Sequence, residues 1–395
     1  MDSIQKLIAL GDTVDYELDG LPLLQASGEG FQNNPCAAPC SSSSDKLSRL
    51  PVFFAAAGGK RIPILKTVLT SVCERDCNYC GMRSGVDCQR YSFRPEEMAK
   101  AFIQMYRQNI VQGIFLSSGI AGGGISTQDR LLATTEIIRK EMGYRGYIHL
   151  KIMPGSEKSQ IERAMQLADR VSVNLETTST TLLHKLAPHK GFLDELLQPL
   201  KWVDEIRHKQ TQQTHRQARQ PSSTTQFVVG PAGETDFELL HLSSYLFKQL
   251  NLSRVYYSRF SPIPGTPLEN EPGTHPQRQV RLYQASFLLR DYGYDVEDFN
   301  FLIGGYLPLN RDPKMLWAEE NLRDGPVEIN HADYKQLLRV PGIGPKGARR
   351  IIEKRENHKL VNMDEIRSLG IRLDAARPYL LVNGKRLPTQ LGLFG

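Results

Sequence analysis

At 395 residues, 40% hydrophobic and 23% charged, the chain has the make-up of a globular protein with one large domain and a smaller one. It contains no apolar run near the roughly 18 residues that span a bilayer, no secretory signal, and too few cysteines (six) for a disulfide scaffold, so a cytoplasmic location without a membrane is expected. The net charge of +6 sits wholly in the tail, where 13 Lys/Arg oppose 7 Asp/Glu between Pro326 and Gly395; this excludes a generally basic protein and predicts a polyanion-binding module, with a solvated basic helix as the alternative.

Residues 1–49 form an N-terminal extension, a short apolar helix followed by PCAAPCSSSSDKLSR, a small-residue loop that carries Cys36 and Cys40. Residues 50–312 alternate strand-like and helix-like stretches. Strands are expected at RIPILKTVLTSV, GIFLSS, GYIHLKIMP, RVSVNLETT, TQFVVGP and RVYYSRFSP, each rich in β-branched or aromatic residues and closed by polar residues, Gly or Pro. Between them PEEMAKAFIQMYRQN, TQDRLLATTEIIRKEMG and DFELLHLSSYLFKQLN carry helical periodicity. That alternation predicts an α/β fold with a parallel sheet, either open or closed into a full or partial (β/α) barrel. Reactive groups then gather at the C-terminal strand ends, which makes Ser117, Ser118, Lys151, Asn174, Glu176 and Gly230 site candidates. The polar stretch Arg207–Gln226 has no period and reads as a mobile surface loop. Residues 313–395 read as a short, helical, basic C-terminal domain.

After the first of these strands, CERDCNYCGMR places Cys73, Cys77 and Cys80 within eight positions. A structural zinc site wants four ligands, commonly in two separated pairs, and no second Cys-x-x-Cys or spaced His pair follows. A four-cysteine cluster wants a fourth cysteine at a characteristic distance, which Cys88, read as structural, does not supply. Three thiolates on three irons of a [4Fe–4S] cube, with the fourth iron open, match the count. Cys-x₃-Cys-x₂-Cys with Tyr79 just before the last cysteine resembles the signature of the radical S-adenosylmethionine (SAM) superfamily.

That resemblance implies a partial (β/α) TIM-type barrel core with a [4Fe–4S] cluster on Cys73, Cys77 and Cys80. It implies SAM as the second cofactor, cleaved by one electron to a 5′-deoxyadenosyl radical, and a reductant such as flavodoxin or ferredoxin as a partner. Ser117, Ser118 and Gly119 stand where members have a glycine-rich turn for the SAM amino group, although no Gly-Gly-Glu is present here. NLET, Asn174 to Thr177, resembles the segment that contacts the ribose, with Glu176 accepting from its hydroxyls. Val228, in VVGPAGET, corresponds to the apolar residue that packs on adenine, and PIPGTPLE at 262–269 also resembles a superfamily segment. Cys36 and Cys40 have three readings: ligands of an auxiliary iron–sulfur cluster, a hydrogen donor to a substrate radical (Cys40 foremost), or ordinary thiols.

In the tail, VEINHADYKQLLRVPGIGPKGARRIIEKRE has Leu337, Leu338 and Val340 closing one amphipathic helix before the turn Pro341-Gly342-Ile343-Gly344. A second helix buries Ala348, Ile351 and Ile352 and leaves Lys346, Arg349, Arg350 and Lys354 outside. The pattern resembles the helix-hairpin-helix motif of DNA repair and replication proteins. It implies that Gly342 and Gly344 let backbone N–H groups approach a phosphate at a helix N-terminus, with Lys346, Arg349 and Arg350 adding charge. Such contacts position a protein on DNA without reading sequence. NMDEIRSLGIRLDAARPYLLVNG resembles a degenerate second hairpin, and some modules of this kind are protein-interaction caps instead. Core and tail together resemble the radical SAM proteins grouped under DNA modification or DNA repair, whose members are often encoded beside a DNA glycosylase-like protein. The implied activity is radical chemistry on a nucleotide in DNA. The alternatives are tRNA modification and a non-catalytic iron–sulfur DNA-binding protein.

Overall fold

The computed structural model describes residues 2–14, 50–57, 60–213 and 220–387; Cys36 and Cys40 lie outside them. Helix α1 (Ser3–Val14) buries Leu7 and Leu10 and reaches Glu97 through Lys6 at 2.7 Å. Strands β1 (Val52–Ala57) and β2 (Lys60–Val68) pair antiparallel, with Val52 opposite Leu65. The chain then alternates through α2 (Pro95–Arg107), β3 (Gly113–Ser117), α3 (Gly123–Glu136), β4 (Tyr147–Lys151), α4 (Lys158–Leu167) and β5 (Arg170–Ser172). It continues through α5 (Thr180–Leu186), α6 (Gln198–Gln213), β6 (Ser222–Val229), α7 (Asp236–Gln249) and β7 (Arg254–Arg259).

Sheet order equals chain order from β1 to β7, and β2 to β7 are all parallel. This is the partial (β/α) barrel: a curled sheet with helical crossovers whose two edge strands do not meet. Burial on both faces explains the strand sequences. Every residue of β3 is buried, and β6 is buried from Ser223 onward. Helices start where local chemistry says they should. Pro95 opens α2 at the first helical position with Glu96 and Glu97 in the first turn, and Glu157 and Gln160 form a capping box on α4.

Two segments differ from the sequence expectation. Strand β1, VFFAAA, has no clean alternation because half of it is alanine. Arg207–Gln226 is helical as far as Gln213 and is a strand from Ser222. The polar letters of β6 are buried, not solvated: Thr225 Oγ1 accepts from Leu175 N–H at 3.1 Å, and Gln226 donates to Ser258 Oγ at 2.9 Å.

Two compact units result, Met1–Glu234 with Leu246–Thr274, and Thr235–Tyr245 with His275–Gly395. The second contains α8 (Pro276–Asp291), α9 (Pro313–Asn321), β8 (Val327–Glu328), α10 (Tyr334–Arg339) and α11 (Pro345–Asn357). It ends with α12 (Met363–Ser368), α13 (Leu373–Ala376), β9 (Leu380–Val382) and β10 (Lys385–Arg386). It is a helical domain around Leu337, Leu338, Ile343, Ala348, Ile351 and Ile366, with β8–β10 adding a small three-stranded sheet. Among the described residues no helix is long and apolar enough to cross a membrane.

Candidate active site and nucleic-acid interface

The cysteine loop leaves the C-terminal end of β2 and is pinned along one side by the segment that follows β3. Leu69 N–H donates to Ser117 O (2.8 Å), Gly119 N–H to Thr70 O (2.7 Å), and Glu74 N–H to Ile120 O (2.7 Å). Ile120 N–H points at Cys73 Sγ (3.5 Å), and the Glu74 carboxylate accepts from Gly122 and Gly123 N–H. Gly119 touches the loop so closely that a Cβ there would lie 2.3 Å from Val72 O, so only glycine fits. Ser117 and Ser118 are buried at this junction. On the opposite side, Asn78 N–H donates to Leu186 O (2.7 Å), and Arg75 binds His189 O and the Glu195 carboxylate, both at 2.6 Å.

Beneath the loop, Glu176 takes φ of +66° and still pairs with β6: its N–H donates to Gln226 O (3.0 Å) and its carbonyl accepts from Val228 N–H (2.7 Å). The Glu176 side chain is buried. Oε1 meets Lys190 Nζ at 2.9 Å, and Oε2 has no hydrogen-bond partner among the described residues. Burial alone would lower the Lys190 pKa, but Cys77 and Glu176 beside it raise it above the ordinary lysine value, so this ammonium stays charged. Tyr79 packs with Leu186, Val228, Ala232 and Phe260, and burial, then Glu176 and the nearby cysteines, hold its phenol well above the usual pKa. Asn174 is half-buried on the Glu176 loop. The fold therefore gathers Cys73, Ser117, Ser118 and Gly119 on one flank, and Cys77, Tyr79, Glu176 and Val228 on the other. Lys190, which joins Glu176 to Cys77, gave no sequence signal.

Burial raises the Cys77 pKa against the pull of the Lys190 ammonium, which lowers it, with Glu176 and Cys73 adding to the rise; Cys80 is pushed up to about 12 by burial and then by Cys77. Thiols that oppose one another's ionisation in this way call for a cationic group to bind them as thiolates. Among the described residues no three His, Cys, Asp or Glu side chains converge as a single-ion site requires. Thiolates that each serve a different iron need no such convergence. The donor set fits a cluster on three cysteines. The partnerless Glu176 Oε2 and the Tyr79–Val228 wall fit a ligand with hydroxyl donors and a flat apolar face.

In the second unit, α10 and α11 meet at Pro341–Gly344. Gly342 has φ of +82° and backs onto Arg372, whose N–H donates to Gly342 O at 3.2 Å. Gly344 caps α11, and a Cβ there would lie 3.2 Å from the Tyr292 hydroxyl. Lys314 braces the turn from below, donating to Ile343 O at 2.7 Å with its ammonium 4.7 Å from the Tyr292 ring centre. Lys346, Arg349 and Arg350 are exposed on α11, and Arg350 also donates to Leu369 O. A cleft of about 470 Å³ opens beside the turn, lined by Gly342, Gly344, Lys314 and Arg372 among others.

Residues 67–246 match the radical SAM superfamily. The chain carries a radical SAM domain. Residues 324–369 match the helix-hairpin-helix motif. Over 217 residues the chain is 24% identical to threonylcarbamoyladenosine tRNA methylthiotransferase MtaB of Thermotoga maritima, covering 53% of this chain and 46% of that one. Over 114 residues it is 30% identical to biotin synthase of Persephonella marina, covering 29% of each. The chain thus spans less than half the length of these curated relatives. Among solved structures, methylornithine synthase (PylB) superposes with a TM-score of 0.45 at 18% identity, over 59% of this chain and 64% of that one. Radical SAM enzymes use a [4Fe–4S] cluster and SAM, and the three-cysteine loop lies inside the matched radical SAM domain.

Proposed function

We propose that this protein is an enzyme that holds a [4Fe–4S] cluster on Cys73, Cys77 and Cys80, binds SAM beside it, and acts on a nucleotide in DNA, as modification or repair. The observation that carries the reading is the combination, in one chain, of a radical SAM domain and a helix-hairpin-helix motif with exposed Lys346 and Arg349. Cluster and SAM, when bound, supply a 5′-deoxyadenosyl radical.

The chain's own residues orient and enclose. Lys190 fixes the Glu176 carboxylate, leaving Oε2 to accept from a ribose hydroxyl. Tyr79 and Val228, which pack together, would supply an apolar wall for the adenine, and the Ser117–Gly119 turn, buttressed on the cysteine loop, would hold the SAM amino group. In the tail, the first turn of α11 directs backbone N–H groups at a phosphate, and Lys346 and Arg349 neutralise its neighbours. Arg350 adds charge near the second hairpin. Thiolate ligands suit a reducing compartment, the cytoplasm, where flavodoxin or ferredoxin supplies the electron.

The likeness to a tRNA methylthiotransferase favours a second reading, a nucleotide in tRNA with the tail on the RNA backbone. Anaerobically reconstituted protein, given SAM and dithionite, should release 5′-deoxyadenosine, and Cys77→Ala should release none. Duplex DNA should stimulate that release more than tRNA does. Absence of 5′-deoxyadenosine, or tightly bound zinc in place of iron, would overturn the enzyme reading. Stimulation by tRNA alone would replace DNA as the substrate.

A further inference from the structure

Phe301–Tyr306, FLIGGY, forms a tight hairpin in the second unit. Leu302 N–H donates to Tyr306 O (2.8 Å) and Gly305 N–H to Leu302 O (2.9 Å). Gly304 and Gly305 take φ of +91° and +81°, which lets so short a turn close. The stem is fixed on several sides. Gly305 O accepts from Phe237 N–H (2.9 Å), and the Phe301 ring meets the Phe237 ring edge-on at 5.4 Å. Arg278 lies 5.1 Å from the Tyr306 ring centre and is held by Asp236 Oδ1 (2.7 Å), while Asp236 Oδ2 accepts from Leu307 N–H (2.9 Å). The apex is bare: Ile303 is fully exposed, at 105%, and Leu302 is 56% exposed.

A rigid stem that ends in two solvated aliphatic side chains marks an interaction site. Its shape narrows the choice of partner. A stable protein interface covers about 800 Å² on each side, far more than a two-residue tip offers. Duplex nucleic acid, by contrast, takes single Leu or Ile side chains between base steps and unstacks there. The unit that bears this tip also bears the helix-hairpin-helix motif, so the duplex that such a motif holds is the surface it meets. Chemistry on a base inside a duplex also requires that the nucleotide first leave the stack.

We propose that Leu302 and Ile303 form a wedge that enters the base stack of DNA held by the tail and opens the step from which the target nucleotide is extruded. The inference rests on the DNA reading above and deepens it, making the substrate an unstacked nucleotide in a duplex.

The test uses the full chain and a DNA duplex containing 2-aminopurine, which brightens when it is unstacked. Wild-type protein should bind the duplex and raise its fluorescence several-fold. The double variant Leu302→Ser, Ile303→Ser should bind within about threefold of wild type, because phosphate contacts carry the affinity, and leave the probe dark. Both side chains are exposed, so folding is not at stake, and Ile303→Phe should keep the signal. Wild-type binding without brightening overturns the wedge and leaves the DNA reading standing. No binding to duplex DNA overturns both. A wild-type dimer that dissociates in the serine variant, or anionic-vesicle binding that it loses, assigns the tip to a second copy or to a membrane and overturns the proposal.

Discussion

Replacing Gly119 by alanine probes how the cysteine loop is held. The new methyl group would lie 2.3 Å from Val72 O and 3.0 Å from both Thr70 O and Val72 C. Non-bonded atoms settle near 3.5 Å, so the two backbones must part by about 1 Å. Both sides are main chain, tied by Gly119 N–H to Thr70 O at 2.7 Å and by Glu74 N–H to Ile120 O at 2.7 Å. Overpacking of this kind costs about 1–3 kcal/mol, and each backbone hydrogen bond that breaks adds about 1 kcal/mol. The strand ladders are untouched, so the domain should stay folded while Cys73, one residue beyond Val72, moves. A misplacement of about 1 Å costs on the order of 10²-fold in rate. Anaerobic reconstitution should therefore give Gly119→Ala less iron per chain and about 100-fold slower 5′-deoxyadenosine formation, with an unchanged circular dichroism spectrum. Gly325→Ala, where the methyl group meets nothing within 4 Å, serves as the neutral control. Wild-type iron and rate in Gly119→Ala would refute the argument that this contact sets the loop.

Lys190→Met should destabilise the radical SAM domain by about 3–5 kcal/mol in urea unfolding, because it strands a buried carboxylate, and adding Glu176→Gln should recover most of the loss. Lys314 gives a pH test: burial lowers its pKa from 10.5 to about 7 in the folded protein. Between those values the unfolded chain binds more protons. Stability of the second unit should therefore rise with pH above 7, by up to about 1.4 kcal/mol per pH unit, level off near the unfolded value, and be flat below 7. Lys314→Met should remove that slope, as read from Trp317 fluorescence in a Trp202→Phe background; a slope unaffected by the substitution would assign it to other groups. Lys346→Ala should weaken DNA binding across all sequences and flatten the salt dependence by about one unit, as measured by titrations at several salt concentrations.

What the sequence disclosed was local. Cys73, Cys77 and Cys80 lie on one loop, and their spacing survives folding unchanged. Most strands of the half-barrel are short apolar or aromatic runs closed by polar residues, Gly or Pro, and the hairpin at Pro341–Gly344 is written in adjacent letters. What it concealed was tertiary. Lys190 follows a proline and a histidine in an unremarkable turn, and only the fold sets it between Glu176 and Cys77. The Ser222–Thr224 start of β6 reads as loop because composition cannot show that Ser223 accepts from Arg207 and is buried. Gly342 reads as a phosphate contact, yet its missing Cβ also leaves room for Arg372 O, 2.4 Å from where that atom would stand.

The sheet order has a consequence for how the protein is made. Each strand from β2 to β7 pairs with the one synthesised just before it, so the sheet can grow as the chain leaves the ribosome, without waiting for a distant partner. The cysteine loop emerges early, after β2, but its supports arrive in sequence: Gly119 with the end of β3, Glu176 after β5, and Lys190 later still. Until about half the chain exists, the three thiols have their buttress at Gly119 but not the buried ammonium. The cysteine site, whose loop is among the first parts made, is therefore completed only by residues that the ribosome adds more than 100 positions later.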